Sequence, residues 1–252
     1  MTLSALVVVH NEEKQLAECL SGLKFADEIV VVLDKCTDGS KQIALQSGAK
    51  IIEGSWDIEG DRRNRGIESC SHEWIFEIDA DERVSPLLAD EMKIAISRAR
   101  GDRFLIPVDN YIGSNLVRRG WGGSFGKSAY TGLFRKGCKI WGRERVHPAL
   151  TLRGQEAGWL QNPLTHYVDR DLSDTIRRLD RYSTLRAMDL RDKIARGESI
   201  GGMAEQIRRF FSRFFKCYIV RGGWREGGYG LVLAACAGLY PVLSYLKAKQ
   251  KE

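Results

Sequence analysis

Leu3-Ser4-Ala5-Leu6-Val7-Val8-Val9 begins the 252-residue chain as a continuous apolar, β-branched run. Such a run is typical of a strand buried on both faces of a parallel sheet. Three further runs, at residues 28–33, 50–53 and 74–78, predict three more strands, and the segments between them predict helices, one of them over 61–69. Strands that alternate with helices in this rhythm predict an α/β doubly wound, mostly parallel sheet.

Polar residues follow three of the predicted strands: His10-Asn11-Glu12, then Asp34, then Asp79-Ala80-Asp81. Ligands of doubly wound sheets bind at the carboxyl ends of the strands, so we expect the three clusters to meet in one crevice. Two carboxylates one residue apart suit a hard divalent cation, which often shares its ligands with a diphosphate. The sequence therefore predicts a metal and a nucleotide diphosphate compound at this edge.

The second half of the chain changes in character. Residues 101–168 predict short strands and loops that extend the sheet, and residues 204–221 predict a helix that mixes Phe with Arg. Residues 171–196 predict an amphipathic helix, for which we expect Leu172, Ile176, Leu179 and Ile194 to face inward and Arg177, Arg178 and Arg181 to face outward.

Charge is distributed unevenly along the chain: residues 1–169 carry a net charge of −2 and residues 170–252 carry +8. We therefore expect one domain at 1–169, which carries the predicted metal and nucleotide site, and a basic helical extension at 170–252. The basic extension indicates an anionic partner such as membrane lipid, an acidic glycan or nucleic acid; a solvated helix face is the alternative. The apolar run at 231–246 is shorter than the roughly 20 residues that span a bilayer, which favours an interfacial segment. A hydrophobic helix packed on its own domain is the alternative.

Six cysteines are scattered without CxxC or Cys/His zinc spacing. This pattern fits free thiols in a reducing compartment, and the N-terminus carries no signal-peptide pattern. We expect a cytoplasmic protein, peripheral at the inner face of the cell membrane. The aromatic and basic helices are more typical of a membrane interface than of a nucleic-acid site, so no nucleic-acid partner is expected.

The three polar clusters, in this order and at these separations, resemble glycosyltransferase family 2 over roughly residues 1–85. The resemblance implies a GT-A fold, a nucleotide-sugar donor, Mg²⁺ or Mn²⁺, and inversion at the anomeric carbon. It places His10, Asn11 and Glu12 against the nucleotide, Asp34 on the base, Asp79 near the ribose and Asp81 on the metal. It also places Arg62 and Arg63 beside the base and diphosphate.

Further along the chain the resemblance is to transferases of the lipopolysaccharide-core type. Glu144, in Trp141-Gly142-Arg143-Glu144-Arg145-Val146-His147-Pro148, is the first candidate for the base that deprotonates the acceptor, and His147 is the second. Many relatives have Glu after this His, where this chain has Pro148. A late His commonly reaches the metal or diphosphate in GT-A enzymes, which indicates His166.

We therefore expect a metal-dependent inverting transferase that moves a hexose from a nucleotide sugar, with UDP expected, to a lipid-linked or lipopolysaccharide-type glycan. One alternative is a polyprenyl-phosphate sugar transferase, which would usually add clear transmembrane helices. The other is a non-catalytic protein that binds nucleotide sugars at a membrane.

Overall fold

The computed structural model describes residues 2–122, 126–145 and 148–250. The chain divides into two compact units. The described residues of Met1–Val108, Ala129–Glu144 and Pro148–His166 form the first unit, and those of Asp109–Ser128, Arg145–His147 and Tyr167–Glu252 form the second.

The first unit alternates strands and helices up to residue 97. Its elements are β1 (Leu3–Val9), α1 (Glu13–Ser21), β2 (Glu28–Asp34), α2 (Ser40–Gln46), β3 (Lys50–Gly54), α3 (Glu59–Ser69), β4 (Trp74–Asp79), β5 (Glu82–Arg83) and α4 (Pro86–Ser97). After these come β6 (Arg103–Ile112), β7 (Asn115–Val117, in the second unit), β8 (Ala129–Arg135), β9 (Lys139–Trp141), β10 (Leu150–Leu152), β11 (Glu156–Trp159) and β12 (Leu164–Asp169). Strands β6 and β12 continue into the second unit.

The sheet of the first unit runs in the order β3-β2-β1-β4-β8-β6. The four strands predicted from the apolar runs pair in parallel, whereas β8 joins β4 and β6 in antiparallel fashion. Along the chain, the strands step from β1 outward to β3 and then return to the other side of β1 with β4. The predicted doubly wound sheet is confirmed, and the direction of winding reverses between β1 and β4.

Successive residues of β1 bury their side chains in two different layers, as expected for a strand covered on both faces. Ala5, Val7 and Val9 pack with residues of α1 and α4, whereas Leu6 and Val8 pack in a second cluster with α3. Helix α3 lies close to the sheet through Gly66, because a Cβ at this position would come within 2.6 Å of Leu6 and 2.9 Å of Val32.

The second unit is mainly helical. It contains α5 (Leu172–Ala195), α6 (Met203–Phe215), a π-helical turn (Lys216–Val220), a 3-10 turn (Gly223–Glu226) and α7 (Gly227–Lys249). Asp171 caps α5 by accepting a hydrogen bond from the backbone N–H of Asp174.

The predicted orientation of α5 is wrong in part. Leu179 is buried, but Leu172, Ile176 and Ile194 are exposed. Arg178, expected to face outward, is buried, and its Nη2 donates to Asp169 Oδ2 at 2.8 Å. The buried Asp169 carboxylate requires a cationic partner, and this requirement decides which side of α5 faces inward.

Helix α7 is 23 residues long, longer than the apolar run predicted at 231–246, because residues 227–230 and 247–249 are also helical. One helical stretch of the described chain, Gly223–Lys249, is long and apolar enough to cross a membrane, by length and composition alone. Half (50%) of its apolar window is buried inside the protein, and core helices of soluble proteins meet the same criterion. Leu233, Ala234 and Tyr240 of α7 lie in apolar clusters of the second unit.

Candidate functional site

The strand register brings the three polar clusters to one edge of the sheet. Val9 of β1 pairs with Leu33 of β2, and Val8 pairs with Asp79 of β4. His10, Asp34 and Asp79 therefore lie at neighbouring strand ends, beside the point where the winding direction reverses. Crevices that bind ligands in open α/β sheets form at this kind of position.

Hydrogen bonds tie the segment after β1 to the segment after β2. Asn11 Oδ1 accepts from the backbone N–H of Thr37 at 2.8 Å, and the backbone N–H of Glu12 donates to Ser40 Oγ at 3.0 Å. Asn11 adopts a left-handed backbone conformation (φ 58°), which asparagine tolerates better than most residues. These contacts give the predicted nucleotide-binding segment a defined shape.

Asp34 is 5% exposed and is oriented by two donors. Its Oδ1 accepts from the backbone N–H of Trp56 and its Oδ2 accepts from Arg62 Nη1, both at 2.9 Å. Its carbonyl oxygen lies 2.7 Å from His10 Nδ1. Each carboxylate oxygen has a second lone pair, so Asp34 retains the capacity to accept an N–H from a ligand.

Arg63 lies under the aspartates in a network of charges. Its Nη2 is 2.9 Å from Asp79 Oδ1, its Nη1 is 2.9 Å from Glu77 Oε1, and its Nε is 2.8 Å from Glu59 Oε1. Burial alone would lower the pKa of Arg63, but the three carboxylates raise this pKa well above its ordinary value. The guanidinium of Arg63 also lies 4.8 Å above the ring of Trp141. Arg63 is thus held by several contacts, and it in turn holds the carboxylate of Asp79 in place.

Sequence reasoning missed the ion pair beneath this network. Lys139 Nζ lies 2.7 Å from Glu77 Oε2, and the two side chains are 1% and 2% exposed. Burial opposes ionisation of Glu77, yet Lys139 and Arg63 lower its pKa. The sequence contained one signal of this pair, because Glu77 is an acidic residue inside the apolar run of β4. Nothing in the sequence around Lys139 identifies Glu77 as its partner.

Asp81 has one oxygen near a histidine and one without a partner. Its Oδ2 is 3.3 Å from His166 Nε2, because β12 pairs with β5 and sets His166 opposite Glu82. Its Oδ1 is buried and has no hydrogen-bond partner among the described residues. An orphaned buried carboxylate oxygen is costly in the absence of a ligand, which makes it a candidate for cation binding.

The donor atoms of Asp81 and His166 fit a divalent metal in part. Carboxylate oxygen and imidazole nitrogen both bind Mn²⁺, and Mg²⁺ favours the oxygen. No group of three metal-ligating side chains occurs within 2–122, 126–145 and 148–250, so the remaining ligands would come from a substrate or water. Burial raises the pKa of the nearby Glu12, and the charges of Asp81, Asp38 and Asp79 raise it further. This excess of negative charge favours a cation.

Glu144 is exposed in the segment after β9, and its Oε2 accepts the backbone N–H of Ala149 at 2.9 Å. That hydrogen bond lowers the pKa of Glu144. Arg143 pairs with Asp61 of α3 at 3.1 Å. The described contacts do not join Glu144 directly to the aspartates. The second candidate base, His147, lies outside the described residues.

Two hydrogen bonds fasten this segment to α3. Asn64 Nδ2 donates to the carbonyl of Trp141, and the backbone N–H of Trp141 donates to Asn64 Oδ1, both at 2.9 Å. Gly60 allows a close approach, since a Cβ there would come within 1.8 Å of the carbonyl oxygen of Gly142. One helix therefore carries the arginine partners of Asp34 and Asp79 and also supports the segment that bears Glu144.

Comparison with known proteins agrees with this arrangement. Residues 4–92 match the model of glycosyl transferase family 2. The lipopolysaccharide core biosynthesis glycosyltransferase LpsC of Rhizobium meliloti (strain 1021) is 24% identical over 271 residues, covering 100% of this chain and 93% of LpsC. An uncharacterized glycosyltransferase of Rickettsia felis is 34% identical over 104 residues, and the match covers 41% of this chain and 37% of that protein.

Among solved structures, S. aureus TarS 1-349 in complex with UDP superimposes with a TM-score of 0.52 at 16% identity, covering 90% of this chain and 75% of that one. A second crystal structure of the same TarS segment gives a TM-score of 0.52 over 98% of this chain. At this level of identity the likeness concerns the fold, and it confirms the predicted GT-A architecture.

Proposed function

Since the chain is a glycosyltransferase with a family 2 domain in residues 4–92, we propose that it transfers a hexose from a UDP-sugar, with a divalent metal and with inversion, to a membrane-associated glycan. The acceptor we propose is of the lipopolysaccharide-core type. LpsC, which matches over the whole chain, is named for lipopolysaccharide core biosynthesis.

One observation carries the proposal: the buried Oδ1 of Asp81 lacks a partner in the described chain, at the edge of the sheet where the strands that lead to Asp34 and Asp79 also end. A metal bound by Asp81 and His166 would offset the negative charge that develops on a departing diphosphate. Arg63 holds the Asp79 carboxylate in an ion pair at 2.9 Å, and in this proposal Asp79 contacts a ribose hydroxyl.

Asp34 supplies the nucleotide contact in this proposal. Arg62 and the backbone of Trp56 hold its carboxylate, which would accept the ring N–H of uracil through a remaining lone pair. The TarS structure that shares the fold was determined with UDP. His10, Asn11 and Glu12 lie at the adjacent strand end and would border the same nucleotide.

Glu144 is the acceptor base that we propose first, with His147 second. The carboxylate of Glu144 is exposed and, with a pKa below its ordinary value of 4.5, is deprotonated at neutral pH as any exposed carboxyl would be. An inverting displacement requires this group to take the proton of the acceptor hydroxyl while the bond to the diphosphate breaks.

A donor screen tests the proposal. The full chain is incubated with UDP-, GDP- and dTDP-hexoses in the presence of Mg²⁺ or Mn²⁺, and release of free nucleotide diphosphate is measured. We expect release from a UDP-sugar that is lost on chelation and in Asp81→Ala. Asp90→Asn is the matched control, since Asp90 is an exposed carboxylate on α4.

Full activity of Asp81→Ala, or activity that survives chelation, would rule out the metal site. Release of nucleotide diphosphate only from GDP- or dTDP-sugars would support the transferase activity but would show that the donor is not a UDP-sugar. Binding of metal to the wild-type chain, followed by Mn²⁺ electron paramagnetic resonance, gives a readout that is independent of turnover.

A further inference from the structure

A row of apolar side chains on α6 and the turns after it is exposed. Ile207, Phe211 and Phe215 recur every four residues and are 47%, 63% and 57% exposed. The exposed row continues past the end of the helix. Its members, which we call the α6 stripe, are Ile207, Phe211, Phe215, Ile219, Val220 and Trp224.

The stripe is separate from the face by which α6 packs in its own unit. Phe214 and Tyr218 pack against the buried cluster that includes Tyr240 of α7. Phe210 lies against Gly238 of α7, where an added Cβ would come within 3.0 Å of the Phe210 ring. Because α6 already has a packed face, the stripe is additional apolar surface, and contiguous surface of this kind usually marks an interaction site.

The charges along the segment that bears the stripe are mainly positive. Residues 203–226 contain six basic residues and two acidic residues, Glu205 and Glu226, and Glu205 pairs with Arg209 at 2.5 Å. Arg208 and Lys216 are exposed, and the guanidinium of Arg225 lies 5.0 Å from the ring of Trp224. Exposed apolar side chains bordered by Arg, Lys and Trp are typical of helices that lie in the interface of anionic membranes.

We propose that the α6 stripe inserts into the headgroup region of an anionic lipid bilayer, with α6 lying along the membrane surface. The sequence pointed to the apolar run at 231–246, but half (50%) of the apolar window of α7 is buried. Its exposed leucines, Leu231, Leu239 and Leu246, are 47%, 39% and 43% exposed, less than Phe211 and Phe215 of the α6 stripe. The inference deepens the proposed function, on which it rests for a membrane-borne acceptor.

Flotation of the full chain with lipid vesicles tests the inference. We expect binding to vesicles of phosphatidylcholine with phosphatidylglycerol and much weaker binding to pure phosphatidylcholine. Phe211→Ser/Phe215→Ser should lower the partition coefficient by about 100-fold, because the variant loses the free energy of transferring two aromatic side chains from water into the membrane. Leu87→Ser/Ile94→Ser is the matched control, because these side chains on α4 are 68% and 53% exposed. The control should bind as the wild type does.

A charge series separates the electrostatic contribution. Arg208→Gln/Lys216→Gln/Arg225→Gln should weaken binding to anionic vesicles about 10-fold or more, and added salt should remove most of this difference. Lys24→Gln/Lys93→Gln/Arg98→Gln removes the same charge from exposed positions in the first unit and should have little effect. Thermal unfolding of each variant verifies that it is folded.

Wild-type partitioning by Phe211→Ser/Phe215→Ser would overturn the inference. The inference would also be overturned if the wild type did not bind anionic vesicles and instead formed a dimer in sedimentation velocity. In that case the same double variant would dissociate the dimer. The assay contains no donor sugar, so its failure leaves the proposed function intact. Conversely, if the donor screen detected no release of UDP, the expected binding to anionic vesicles would remain the same.

Discussion

Arg63 Nη2 and Asp79 Oδ1 lie 2.9 Å apart, and the same guanidinium also contacts Glu77 and Glu59. We expect Arg63→Met to destabilise the fold by about 3 kcal/mol, because the change removes the cation that Asp79 and Glu59 share and leaves the buried Glu77 with Lys139 as its remaining cation. Urea unfolding measures the loss. Arg65→Met is the control on the same helix, since that side chain is 56% exposed, and it should stay within about 0.5 kcal/mol of wild type. Equal effects of the two changes would contradict the role of Arg63.

Asp34→Asn should weaken the binding of UDP. Loss of a charged acceptor costs about 1.5–3 kcal/mol per hydrogen bond, so we expect the dissociation constant to rise about 10- to 100-fold. Titration calorimetry with UDP checks the change. Asp57→Asn alters a carboxylate that is 94% exposed and should bind as wild type does. Unchanged affinity of Asp34→Asn would remove Asp34 from the nucleotide contact.

The two candidate bases predict different outcomes. Glu144→Gln should lower the rate of sugar transfer about 100-fold or more while leaving the affinity for UDP unchanged, because general-base catalysis is lost without loss of binding. His147→Asn, measured in the same assay, should have a small effect. The reverse result would assign the base to His147. Glu156→Gln, an exposed carboxylate on β11, is the control.

The pH profile gives a second test of the base. The backbone N–H of Ala149 lowers the pKa of Glu144 below its ordinary value of 4.5. A base with a lowered pKa stays deprotonated down to more acidic pH, so an acid limb due to Glu144 should lie below pH 4.5 in kcat/KM. An acid limb near pH 6.5, abolished in His147→Asn, would indicate the histidine.

Glu28 predicts a pH dependence of stability. Burial opposes its ionisation, but hydrogen bonds from Ser4 and Ser71, with the charge of Lys50, hold its pKa at about 2, below the ordinary 4.5. The stabilisation from a lowered carboxyl pKa is complete above the unfolded value and is lost as pH falls through the folded one. Glu28→Gln should therefore cost about 1–2 kcal/mol at neutral pH and flatten the stability curve between pH 4.5 and 2.

Urea midpoints across that pH range measure the effect. Glu53→Gln, on the neighbouring β3, is the matched control, since its side chain is 48% exposed. A stability curve for Glu28→Gln that runs parallel to that of wild type would contradict the assignment.

Local sequence patterns were sufficient for the parallel half of the sheet and for the position of the polar clusters. Strand β1 is found where its apolar run predicts, and β2, β3 and β4 each extend one residue beyond theirs. These elements form because side-chain alternation and burial act within a short window.

Contacts between residues distant in the sequence account for what was missed. Lys139 pairs with Glu77 across 62 positions, and no local pattern relates the two. Arg178 faces inward because a buried Asp169 lies beside it, which outweighs the helical periodicity of α5. The pairing of β12 with β5, which brings His166 to Asp81, likewise depends on the folded topology.

The pair of hydrogen bonds between Asn64 and Trp141 has an evolutionary consequence. Substitutions on α3 that altered the preference for the nucleotide would also displace the segment that leads to Glu144, the proposed acceptor base. A single mutation would therefore rarely change the donor preference without changing the acceptor preference. Diversification of such an enzyme is expected to proceed through paired changes on α3 and after β9. Libraries built to redirect it should randomise both segments together.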